Sequence, residues 1–95
     1  MTREELFKLH DDLQSAAKAT MQAKNQDYAK ETDIFRNFRM FGLLGVLVRM
    51  SDKIARLRTF EERGVFSVKD ESVKDTIEDL INYAVIFYAM VQEGK

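Results

Sequence analysis

The stretch "DESVKDTIEDLINYAV", residues 70–85, decides the fold. Placed on a helix at about 100° per residue, Glu71, Asp75, Glu78, Asp79 and Asn82 share one arc, while Val73, Ile77, Leu80 and Ala84 take the opposite side. Ile86 and Met90 continue the acidic arc, so a face that begins in carboxylate ends in hydrocarbon. From Tyr83 onward ("YAVIFYAMV") the helix is apolar almost all round, more than a three-helix monomer covers. The pattern predicts a helix capped by Ser67 or Asp70 and running to about Gln92. It also predicts an intermolecular helix interface, most simply a homodimer or a higher homo-oligomer forming a bundle.

Upstream, "GLLGVLVRMSDKIARLRTFEER" carries a second helix from about Leu43 to Arg63, stopped by Gly64 at a left-handed cap. Leu43, Leu47, Met50, Ile54 and Leu57 form one apolar stripe, and Leu44, Val48 and Ala55 form another, which implies two packed neighbours. The first helix starts at Thr2, where "TREE" offers a capping box, and its apolar period holds to about Lys24. Between the two lies "NQDYAKETDIFRNFRMF", residues 25–41, read as a long loop with a short helical turn. The fold class expected is all-α: one domain over residues 1–95, with three main helices completed by oligomerisation.

Composition narrows the chemistry. With 15 basic and 16 acidic residues the net charge is −1, so no global field draws the chain to nucleic acid and no direct DNA binding is expected. No cysteine is present and only one histidine, which removes disulfides, thiolate metal sites and the usual nucleophilic triads. The longest nearly uncharged run, Met40 to Val48, is too short to span a bilayer. The N-terminus "MTREELFKLHDDLQ" is charged and amphipathic rather than signal-like, so a cytoplasmic protein is expected. "GLLG" lacks the lysine and spacing of a phosphate-binding P-loop.

Charge is segregated locally. "RMSDKIAR" puts Arg49, Asp52, Lys53 and Arg56 on one arc, a cationic strip holding a single carboxylate. If the last two helices pack antiparallel, this strip faces Glu71, Asp75, Asp79 and Asn82. Interhelical salt bridges are one reading. The other is an open cleft for a phosphorylated ligand with a divalent cation. Carboxylates without thiolate or imidazole suit Mg²⁺, and an arginine fork binds two phosphate oxygens at once. Tyr28, Phe35, Phe38 and Phe41 read as plugs beneath the loop or as faces for stacking on a nucleobase.

"KNQDYA", "FRNF", "GVLVRMSDKIARL" and "DESVKDTIEDLINYAV" together resemble the first nucleotide-modification-associated domain family, small all-α proteins common in bacteriophages. That family in turn looks like a distant relative of the MazG-like all-α nucleoside triphosphate pyrophosphatases. The resemblance implies Mg²⁺-dependent cleavage of a nucleoside triphosphate to monophosphate and pyrophosphate, in phage nucleotide metabolism or DNA modification. Its motifs fall on Lys24, Asp27 and Tyr28, on Arg49, Asp52, Lys53 and Arg56, and on Glu71, Asp75, Asp79, Asn82 and Tyr83.

The expected roles follow from both readings. Asp75 and Asp79 would be catalytic, and with Asp52 and Glu71 would hold Mg²⁺. Lys24, Arg49, Lys53 and Arg56 would grip phosphate, and Asp27, Tyr28, Phe35, Asn37, Phe38, Asn82 and Tyr83 would hold the base. Asp52 stands alone among basic residues where the hydrolytic enzymes carry a glutamate-rich helix, and Thr76 stands where a later glutamate belongs. Binding fits that departure better than turnover. Three functions therefore compete: a pyrophosphohydrolase, a module that binds or sequesters a nucleotide, and a structural or interaction protein.

Overall fold

Thr2 opens the first helix, its hydroxyl oxygen accepting from the Glu5 backbone N–H at 3.1 Å and satisfying one of the donors a helix start leaves open. The computed structural model describes residues 1–27, 33–65 and 72–94, the side chains of 25–27 excepted. Within them run α1 (Arg3–Asp27), α2 (Arg36–Arg39), α3 (Gly42–Arg63) and α4 (Val73–Glu93). No strand occurs among the described residues. The protein is all-α. The short turn expected inside the 25–41 stretch is α2, and α1 extends into that stretch as far as Asp27.

Two caps fix the hairpin of α3 and α4. Gly64 takes φ 76° and donates its N–H to the Phe60 carbonyl at 2.7 Å, a left-handed ending that a side chain would strain. The expected start of α4 at Ser67 or Asp70 gives way to Ser72. Its Oγ accepts from the Asp75 N–H at 3.0 Å, and Asp75 Oδ2 accepts from the Ser72 N–H at 3.2 Å. This reciprocal box satisfies two orphan donors of the first turn. The sequence offers it plainly as "SVKD", residues 72–75.

α4 is the centre of the molecule. α1 and α3 both pack on it, α2 packs on α3, and α1 and α3 do not approach each other. The α3–α4 pair is antiparallel: Lys53 meets Asp79 toward the connection, while Arg39, just before α3, reaches Glu93 at the far end of α4. Such an arrangement buries little. Ala17, Phe35, Val46 and Thr76 are the buried side chains among the described residues. Asn82 ties α1 to α4, donating from Nδ2 to the Ala17 carbonyl at 3.0 Å.

Both neighbours expected of α3 are present, α4 on one side and α2 on the other. Leu44 and Val48 of its second stripe face α2 across an open space and stay 69% and 61% exposed. Only the side of α3 that carries Val46 and Lys53 turns inward. No helix among the described residues is long and apolar enough to cross a membrane.

Candidate functional site

Asp33 and Arg39 build the corner between α1 and α3. Asp33 Oδ1 accepts from the Phe35 N–H at 3.0 Å, in the manner of a turn-forming aspartate. Arg39 closes on the same carboxylate, Nε to Oδ2 at 2.6 Å and Nη2 to Oδ1 at 2.9 Å, and donates from Nη2 to Glu93 at 2.5 Å. The Arg39 guanidinium, and then the Phe35 N–H, hold the Asp33 carboxyl below its ordinary value. Asp33 first and Glu93 second raise Arg39 in turn. Phe35 is buried beneath, its ring 5.7 Å from the same guanidinium. Four helical residues of α2 are thus pinned to the end of α4.

Beyond this clamp lies a cavity of about 400 Å³, lined by Asn37, Phe38, Phe41, Leu44, Gly45, Val48 and Arg49. Its size falls within the range of small-molecule sites, and its make-up matches them: apolar walls with few polar groups. Gly45 makes room for it. A Cβ there would stand 2.7 Å from the Cβ of Phe41, so only glycine lets Phe41 lie over the first turn of α3. Phe41 is 73% exposed and offers an open ring face. Phe38 is held more firmly, edge-on to Tyr83 with ring centroids 6.4 Å apart at 78°.

Arg49 completes the wall. Its guanidinium lies over the Phe38 ring, 4.9 Å from the centroid, a cation–π contact. Arg49 makes no ion pair with a described carboxylate.

The expected cleft between two charged ridges is bridged. Lys53 Nζ sits 2.9 Å from Asp79 Oδ2, with side chains only 14% and 27% exposed. One turn on, Arg56 Nε lies 3.3 Å from Asp52 Oδ2 within α3. Asp75 is engaged in its own helix cap. Thr76 is fully buried and donates its hydroxyl to the Ser72 carbonyl at 3.2 Å.

The structure therefore gathers some candidates and disperses others. Asn37, Phe38 and Arg49 line one cavity, with Tyr83 behind Phe38. Asn82 faces α1, Phe35 is a core plug, and Lys24 lies exposed on the last turn of α1. Asp27 ends α1, and its side chain, with Tyr28 and Glu71, lies outside the described residues. No three histidine, cysteine, aspartate or glutamate side chains gather as a metal site among the described residues. Phe41, read from the sequence as a plug or a stacking face, lines the cavity, and Leu44, Gly45 and Val48 are lining residues that sequence reasoning did not assign to a site. The signal was present as a glycine four residues after an aromatic, which lets that ring fold back on a helix start.

A model of the family described as "Nucleotide modification associated domain 1" matches residues 24–92, most of the chain. The chain belongs to this family. The match runs from Lys24 through the α2 corner, α3 and nearly all of α4, and so includes every residue lining the cavity. No curated protein and no solved structure gives a match.

Proposed function

We propose that this nucleotide-modification-associated domain binds a nucleotide in the cavity between α2 and α3. The observation that carries the reading is Arg49 set on the Phe38 ring in the wall of an apolar cavity beside the open face of Phe41. A base stacks on Phe41, the sequence-tolerant contact an aromatic provides. The Asn37 amide meets its polar edge, and the Arg49 fork takes phosphate oxygens. The family description, which speaks of nucleotide modification, agrees in substrate class. We also propose that the chain acts as a homo-oligomer, because Val85 and Tyr88 on the apolar tail of α4 stand exposed.

Binding without turnover is favoured over hydrolysis. The acids expected to hold Mg²⁺ do not fit such a site among the described residues: Asp79 is on Lys53, Asp52 on Arg56, and Asp75 in the Ser72 cap. A module that sequesters or delivers a nucleotide, as a phage-type protein of this kind would, needs none of them free. The MazG-like alternative predicts Mg²⁺-dependent pyrophosphate release from a nucleoside triphosphate, abolished by Asp79→Asn.

The test is a thermal-shift and calorimetry screen of nucleotides with and without Mg²⁺. Ligands of the native state raise the melting temperature by linkage. The expected result is a rise with at least one nucleotide, recovered intact and lost in Phe41→Ala and Arg49→Ala. No shift with any ordinary or modified nucleotide removes the reading.

A further inference from the structure

The charge of the cavity limits what can fill it. Of the described residues that line it, Arg49 alone carries a charge and Asn37 alone an amide. The rest of the wall is the rings of Phe38 and Phe41, the side chains of Leu44 and Val48, and Gly45. A phosphate monoester carries a charge of about −1.5 to −2 at pH 7, which one arginine fork meets with two parallel hydrogen bonds. Every further phosphate brings more charge into a space walled mostly by hydrocarbon, where an unpaired anion is costly.

The surroundings offer a second or third phosphate no open cation. Phe41, Gly45, Arg49 and Lys53 succeed one another at one-turn spacing along α3, which sets Phe41 and Arg49 about 12 Å apart along the axis. A ligand that touches both therefore lies lengthwise on the helix, and a phosphate chain growing past Arg49 next meets Lys53. The Lys53 ammonium is already 2.9 Å from Asp79 Oδ2, and its side chain is only 14% exposed. The chain would have to break that pair and then face the Asp79 carboxylate. Toward α2, Arg39 is held by both Asp33 and Glu93, two carboxylates on one guanidinium. At both ends of the cavity the neighbouring cation is already taken by acid.

We infer that the cavity takes a nucleoside monophosphate, and takes it without a divalent cation, in preference to the triphosphate of the same base. The inference rests on the nucleotide reading above and narrows it to one phosphate. The base lies on the Phe41 ring, the sugar spans the floor of the cavity, and the single phosphate ends on the Arg49 fork. Mg²⁺ serves chiefly to bridge and neutralise the oxygens of a longer phosphate chain. A monophosphate met by a guanidinium does not need it. Asp79, Asp52 and Asp75 can then stay in the ion pairs and the cap where the fold uses them.

Calorimetric titration of the full chain tests it, with the nucleoside, monophosphate, diphosphate and triphosphate of the base that the thermal-shift screen selects, each in EDTA and again in Mg²⁺. The monophosphate is expected to bind about tenfold tighter than the nucleoside and at least as tightly as the triphosphate. Its affinity in EDTA and in Mg²⁺ should agree within about twofold. Arg49→Ala should bring the monophosphate down to the level of the nucleoside; the ligand series on wild type decides the matter even if that variant does not fold. A triphosphate that binds tighter than the monophosphate, or a monophosphate that binds only with Mg²⁺, overturns the inference and leaves the nucleotide reading in place. A monophosphate no tighter than the nucleoside overturns it too. A screen in which no nucleotide binds removes the nucleotide reading itself, and this inference with it.

Discussion

Arg49 and Lys53 sit one turn apart on α3 and meet opposite fates. Lys53 reaches inward to Asp79 at 2.9 Å and is mostly covered. Arg49 leans outward on the Phe38 ring and meets no described carboxylate. A cation already joined to a carboxylate at short range has a partner that any incoming phosphate must displace. A guanidinium supported by an aromatic ring is held in place while its donors stay available. The same helix therefore carries a cation held in an ion pair and the cation we propose for binding, and sequence spacing alone does not tell them apart.

The largest effect is expected where the closed pair is broken. Lys53→Ala leaves the partly covered Asp79 carboxylate alone and lowers stability by about 2 kcal/mol, a fall in melting temperature on the order of 10 °C. Nucleotide affinity in the surviving folded fraction stays within about twofold. Denaturant melts and calorimetry on the one variant check both halves. A large loss of affinity with little loss of stability would mean that Lys53 opens to the ligand.

Arg49→Ala should reverse that pattern. Removing a charge-assisted phosphate contact weakens binding about tenfold or more, while the lost cation–π contact lowers stability by less than about 1 kcal/mol. Ser72→Ala comes next and sharpens the comparison from the acidic side. It removes the α4 cap and lowers stability by about 1 kcal/mol, with no change in nucleotide affinity or in response to Mg²⁺. An altered Mg²⁺ response would return Asp75 to a metal-binding role.

The smallest effect is expected at the Asp33–Arg39 clamp. Its carboxyl lies below the ordinary value because Arg39 and the Phe35 N–H stabilise the charged form. A group lowered in the fold contributes stability above its unfolded value and loses it as pH falls through the folded one. Asp33→Asn should therefore flatten the acid limb of the stability curve slightly, in melts taken between about pH 6 and about pH 2. An unchanged limb would show that the clamp does not hold α2.

Much of the fold was legible from the chain. α3 ends at Gly64 because only a glycine takes that left-handed turn cheaply, and Val85 and Tyr88 of the apolar tail of α4 are exposed. The site was legible in part. Arg49, expected on phosphate, and Phe38 and Asn37, expected on the base, line one cavity, while the acids at one-turn spacing were read as one set. Helical periodicity places residues on a face but does not say which neighbour arrives first. Asp75 is taken by its own backbone, through a short "SVKD" pattern that also reads as a cap, and Asp79 by a lysine across the hairpin. The cavity depends on a tertiary corner, Phe41 folding back over Gly45, which periodicity does not contain.

The most direct measurement of the central claim is a calorimetric titration of one nucleotide, chosen by the thermal-shift screen, into wild type, Arg49→Ala and Lys53→Ala side by side. The account predicts that affinity drops with Arg49→Ala and holds with Lys53→Ala. Equal affinity in wild type and Arg49→Ala, with loss confined to Lys53→Ala, would contradict it and move the ligand into the α3–α4 groove.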